Sequence, residues 1–155
     1  MTRHAAINEA LAILKSAHIG VLATVSEGVP HTSLMACAFD EKNFNMIMAT
    51  ETGTRKFKNI AANPRVSLLI DTRLTDALQD SASIKAVSLS GLASVAPEAE
   101  KSKALALLAT TNPKLAYFFS RPGISVIRIA VSSVLFLDGP VNSHVFSLEK
   151  EAQDE

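Results

Sequence analysis

Residues 52–56, Thr-Gly-Thr-Arg-Lys, bring together more anion-holding groups than any other stretch of this 155-residue sequence. Thr52 and Thr54 carry hydroxyls, and Gly53 permits tight approach or a positive φ. Arg55 supplies a planar two-pronged donor and Lys56 a mobile point charge. The residues that follow have helical periodicity, so N–H groups at the helix start would face an incoming anion. Such a set suits a terminal phosphate. The same residues, with Lys58 three positions after Arg55, equally describe a basic helix face in water, and composition alone leaves both readings open.

Other chemistry is sparser. His4, His18, His31 and His144 are scattered, without HxxxH or HExxH spacing, which argues against an assembled metal site. His31 opens a strand beside Thr32 and Ser33, where it can face a ligand or simply the surface. No serine lies in a GxSxG elbow, so a Ser-His-Asp hydrolase lacks its usual frame. Met35, Met46 and Met48 read as core filler or as an apolar wall for a planar ligand. Tyr117, Phe118 and Phe119 read as helix packing. Cys37 is the single cysteine and excludes an internal disulfide or a CxxC site. The basic patch is too local, and too poor in interleaved aromatics, for a nucleic-acid interface.

The elements that must position these groups follow from composition and period. Apolar residues make up 48% of the chain, charged residues 19%, and the formal net charge is zero, which describes one folded domain over 1–155 rather than a polyanion binder. No apolar stretch has transmembrane length and no signal segment is visible, so the expectation is a cytoplasmic protein without membrane contact. Residues 5–16 have helical spacing. Ile19, Val21, Ala23 and Val25 alternate as a strand, Ser26–Pro30 forms a turn, and "HTSLMACAFD" and "FNMIMAT" give two further strands. Turns this short make antiparallel neighbours. A helix follows over 53–63, with Phe57, Ile60 and Ala61 on one face, then the strand "VSLLI".

Residues 71–83 read as a solvated loop. The long strand "IKAVSLSGLASVAP" has Gly91 as a bulge or close-approach point. A helix over 98–110, a second helix opening at Asn112-Pro113, the long strand "ISVIRIAVSSVLFLDG" and a short edge strand "VNSHVFSL" complete the chain. Residues 148–155 read as a frayed acidic tail. About six strands with outlying helices indicate a mainly β protein, a closed or partly closed antiparallel barrel rather than a Rossmann fold.

In that order, "LATVSEGVPHTSLM" and "NMIMATETGTRKFKNIAANPRVSLLI" (within 22–70), followed by "YFFSRP" (117–122) and the strand containing Gly91, resemble the FMN-binding split-barrel family, also called pyridoxamine 5'-phosphate oxidase-like. The resemblance implies a six-stranded antiparallel split β-barrel with peripheral helices, forming a homodimer with FMN at the subunit interface. It implies that Arg55 and Lys56 hold the FMN phosphate, helped by Thr50 and Thr54. Thr32, Ser33 and Leu34 would run along the ring or ribityl chain, with Met48 and Ala49 flanking the cleft. The partner would close the ring side near Phe136 and His144.

The implied activity is that of an FMN-dependent oxidoreductase using a small-molecule substrate or a redox partner. The alternatives within the fold are a non-enzymatic flavin or electron carrier, or a barrel holding F420 or haem. The chain lacks the RQVR-type signature and the tryptophan of true pyridoxamine phosphate oxidases. Phosphorylated vitamin B6 is therefore not carried over as substrate, and no catalytic residue is assigned.

Overall fold

In the computed structural model, residues 1–74 and 81–148 are described. The middle of the expected 71–83 loop and all but the first residue of the expected tail lie outside them. Helix α1 (Arg3–Ser16) starts where Thr2 accepts a hydrogen bond from the Ala5 N–H at 3.1 Å, a side-chain N-cap. Strands β1 (Ile19–Ser26) and β2 (Val29–Asp40) form a hairpin around Glu27 and Gly28, whose φ values of 51° and 74° suit the twist of adjacent strands. Strand β3 (Asn45–Glu51), helix α2 (Arg55–Ala62) and strand β4 (Arg65–Asp71) come next. Strand β5 (Lys85–Val95), helix α3 (Glu98–Thr111), a 3-10 turn at Pro113–Leu115, the short helix α4 (Ala116–Phe119), and strands β6 (Ile124–Asp138) and β7 (Asn142–Ser147) follow.

All strand pairs are antiparallel. The order β3-β2-β1-β4-β5-β6-β7 closes on itself because β3 also pairs with β6, giving a six-stranded barrel with β7 attached outside the closure. Strand β6 makes this possible by its length. Its first half pairs with β3 from Ile124 to Ala130, and its second half pairs with β7 from Ser133 to Asp138. The ladder with β5 shifts register between Ser90 and Gly91. A Cβ at Gly91 would stand 2.1 Å from the Ala130 carbonyl oxygen, so the close approach expected there is real and only glycine fits.

The barrel interior is filled by Leu22, Met35, Cys37, Met48, Leu68, Leu89, Ile129 and Phe136, with α1 contributing Ala6, Ala10 and Leu14. Lys85 pairs with Glu9 of α1 and lies 3.9 Å from Asp138, which ties that helix to β5 and β6. A second cluster lies where Ala104 and Leu108 of α3 and Phe119 of α4 cover Ala38, Ile47, Ala49, Ile124 and Val126. Strand β1 corrects a natural inference from the sequence. Its buried residues are Gly20, Leu22 and Thr24, while the alternating Ile19, Val21, Ala23 and Val25 form its outer face. Val87, Leu89 and Ala93 alternate into the core from β5, and Val95, next in the same alternation, is exposed beyond its end. Among the described residues, no helix is long and apolar enough to cross a membrane.

Burial pushes the Cys37 thiol up from 9.0 to about 12. The folded chain keeps a proton that the unfolded chain releases above pH 9.0. This contribution is therefore intact below that pH and is lost as pH climbs toward 12. Urea unfolding at roughly pH 10.5 should show about 2 kcal/mol of the loss, and Cys37→Ala should flatten the alkaline decline. An unchanged slope in that variant would mean that other groups cause it.

Candidate functional site

The β2–β3 ladder runs only from Asp40–Asn45 to Cys37–Met48. Beyond it the two strands part, so the edge of β2 over Thr32–Ala36 and the end of β3 over Ala49–Glu51 border a split in the barrel wall. Strand β3 passes through the short loop Thr52–Thr54 into α2, so Arg55 and Lys56 follow directly on the end of β3 that borders the split. The loop is tied by its own side chains. Thr54 Oγ1 donates to the Glu51 carbonyl at 2.9 Å and lies 3.0 Å from Thr50 Oγ1, while the Thr54 N–H reaches the same carbonyl at 3.3 Å. Thr50 is 3% exposed. However the two hydroxyl protons are arranged, both are used inside the loop, so these threonines build the turn rather than present free donors.

Helix α2 begins with a conspicuous excess of positive potential. Thr54 occupies the N-cap position but makes no side-chain cap bond, and the first turn holds no acid. The N–H groups of Arg55, Lys56 and Phe57 precede the first intrahelical bond, Lys58 N–H to Thr54 O at 3.2 Å, and have no acceptor among the described residues. Arg55 and Lys56, exposed and half-buried, form no ion pair there either. Two cations at the positive end of a helix dipole repel it and each other. An anion resting there would reverse both terms, and the residues present fit a phosphate group. Gly53 has open space over its Cα and no positive φ, so of its two expected uses only room for close approach is present.

Along β2, Thr32 and Leu34 project from the outer face, with Leu34 69% exposed. Ser33 points the other way, and its Oγ lies 3.3 Å from His31 Nε2. Met48 is fully buried in the barrel and forms the last β2–β3 pair with Cys37, while Ala49 lies in the cluster under α3, so neither side chain reaches the split and only the Ala49 main chain borders it. Phe136 is likewise fully buried, and His144 stacks between it and Phe146, at centroid distances of 6.2 and 6.5 Å. The side chain of Phe136 therefore has no route to a neighbouring subunit.

Two features of the site escaped sequence reasoning. Arg121, in the "YFFSRP" segment, pairs with Glu51 at 3.0 Å, and the Thr52 N–H reaches the Gly123 carbonyl at 3.4 Å, so the β6 entry braces the loop between β3 and α2. Asn59, rather than the expected Ala61, shares the buried face of α2 with Ile60, and its Nδ2 donates to Thr24 Oγ1 at 3.0 Å. A polar residue at a helix position that should be apolar was the available signal.

The outer sheet face also has order. Leu34, Val21, Leu69, Ser88, Leu135 and Val145 are successive cross-strand partners and form a ridge. One pleat over, Thr32, Ala23, Ser67, Ser90, Ser133 and Ser147 form a parallel furrow of small side chains. Part of the furrow deepens into a hollow of ≈ 820 Å³ that also receives Arg65.

Comparison with known proteins agrees with this architecture. No curated protein matches the chain. A heme binding protein from Mycobacterium smegmatis superposes with a TM-score of 0.82 at 24% identity, covering 95% of this chain and 60% of that one. General Stress Protein 26 from Bacillus anthracis str. Sterne gives 0.69 at 22% identity, covering 94% and 99%. A putative pyridoxamine 5'-phosphate oxidase from Listeria innocua gives 0.66 at 23%, covering 85% and 98%. At these identities the likeness speaks for the fold. The family model described as pyridoxamine 5'-phosphate oxidase matches residues 6–138. With the split barrel in place over the same residues, the chain belongs to the pyridoxamine 5'-phosphate oxidase family of FMN-binding split barrels.

Proposed function

We propose that this chain is an FMN-dependent oxidoreductase, acting on a small molecule or a redox partner, that holds the cofactor by its phosphate. The observation that carries the proposal is the uncapped start of α2, where three N–H groups and two cations have no partner among the described residues. Arg55 supplies two parallel N–H donors and Lys56 a point charge, while Thr50 and Thr54 keep the loop in shape. The β2 edge at Thr32, Ser33 and Leu34 orients the ring, and the backbone of Ala49, next to the last ladder pair at Met48, borders the other side of the split. Bound FMN supplies the electron and hydride chemistry; the protein supplies orientation and exclusion of water. No side chain here is assigned as acid or base.

A second copy completes the site in this reading. Leu34 both heads the apolar ridge and stands on the ring-side strand, so a two-fold partner fitting its ridge into this copy's furrow would cover the ring at the same time. Leu34 and Val145, 69% and 63% exposed at the two ends of the ridge, would be buried together. Haem fits less well. His31 is the histidine beside the split and its Nε2 lies 3.3 Å from Ser33 Oγ, and the anionic groups of haem are two propionate carboxylates rather than one terminal phosphate.

The test is uptake of FMN by purified protein, followed by absorbance and by mass spectrometry of the released ligand, with riboflavin in parallel. FMN is expected to bind clearly more tightly than riboflavin. Failure to take up FMN, or equal affinity for the two, would overturn the reading. The same spectrum would reveal haem or F420 instead.

A further inference from the structure

The geometry points to Asn59 and Thr24 as a positioning pair that sets the distance between the phosphate clamp and the ring-side strand. This inference rests on the FMN reading above. Helix α2 has eight residues, too few to hold itself in place. Its apolar anchors are the buried Ile60 and the half-buried Phe57, and apolar contact is non-directional, so it tolerates rotation and sliding. The Asn59–Thr24 bond does not. Its donor and acceptor residues are 7% and 3% exposed, and misalignment would strand both polar groups away from water.

The two ends of this bond sit where position matters. Asn59 lies one turn after Arg55 and Lys56, so any rotation at Asn59 moves both cations. Thr24 lies on β1 directly opposite His31 of β2, next to the Ala23–Thr32 pair. Strand β1 thus carries the ring-side edge on one flank and α2 through a single directional bond. The pair touches no ligand itself; it acts through Arg55 and Lys56.

The experiment compares FMN and riboflavin affinity, by titration, in the native chain and in Thr24→Val, which keeps the side-chain shape and removes the acceptor. FMN affinity is expected to fall at least about tenfold and riboflavin affinity by less than about twofold, with Thr24→Ser restoring FMN binding. The paired variant Asn59→Leu with Thr24→Val separates folding from positioning. Its thermal midpoint should recover relative to Thr24→Val while FMN binding stays weak. Equal losses for both flavins, no loss for either, no rescue by serine, or recovery of FMN affinity in the paired variant would each overturn the inference. If the native chain showed no preference for FMN, the phosphate site itself would fall and the positioning role with it. A preference that survives Thr24→Val would remove the positioning role alone.

Discussion

Replacing Arg55 and Lys56 together by alanine is expected to weaken FMN binding by at least about 150-fold, at roughly 1.5 kcal/mol for each charge-assisted contact removed. Riboflavin, which lacks the phosphate, should lose no more than about twofold. The asymmetry follows from the position of the two side chains. They stand at the start of α2, outside both apolar clusters, and make no ion pair among the described residues, so their removal takes nothing from the core. The double variant should even fold slightly better without ligand, because two cations no longer oppose the helix dipole. Calorimetric titration with both flavins decides the matter. An unchanged FMN-to-riboflavin ratio would show that the phosphate is held elsewhere.

The largest effect on stability is expected at Gly91. Alanine there would press a methyl group to 2.1 Å from the Ala130 carbonyl oxygen, in the ladder that joins β5 to β6. Neither backbone can retreat cheaply, since β6 is held on its other edge by β3 and β7. A loss of at least about 3 kcal/mol in urea unfolding follows, above the usual range for small additions because the clash is with main chain. Gly53→Ala is the internal control: nothing lies within 4 Å of the added carbon and φ is not positive, so stability should move by no more than about 0.5 kcal/mol. Equal losses in the two variants would show that the β5–β6 approach is not the constraint described.

Strand identities and hairpin turns were legible in the sequence because period-two alternation and short polar turns are local properties. Gly28 and the Gly91 register shift are examples where the residue type itself suggests the backbone requirement, whereas the positive φ of Glu27 is not signalled by its type. What sequence could not state was direction. The apolar alternation of β1 marks its outer face, because Gly20, Leu22 and Thr24 pack inside while Val21 joins a ridge built from other strands. The site divides in the same way. The loop cations were legible as a cluster, and their lack of partners needed the fold. Thr50 and Thr54, expected to help Arg55 and Lys56 hold the phosphate, bond to each other and to their own loop. Asn59 stood out only as a polar residue in the helix, and its role was not legible because its partner Thr24 lies 35 residues away and on another element.

Strand β3 is buried on both faces from Met46 to Thr50, with Met46 and Met48 in one cluster and Ile47 and Ala49 in the other. A strand enclosed in this way has almost no neutral substitutions, because every side chain on it meets packed neighbours. The outer half of β2 is the opposite case, with Thr32 and Leu34 in the open. One wall of the split is therefore frozen and the other is free to drift. A lineage built on this barrel could exchange one surface beside the split for another by changing β2 alone, while the frozen strand keeps the Thr52–Thr54 loop in register.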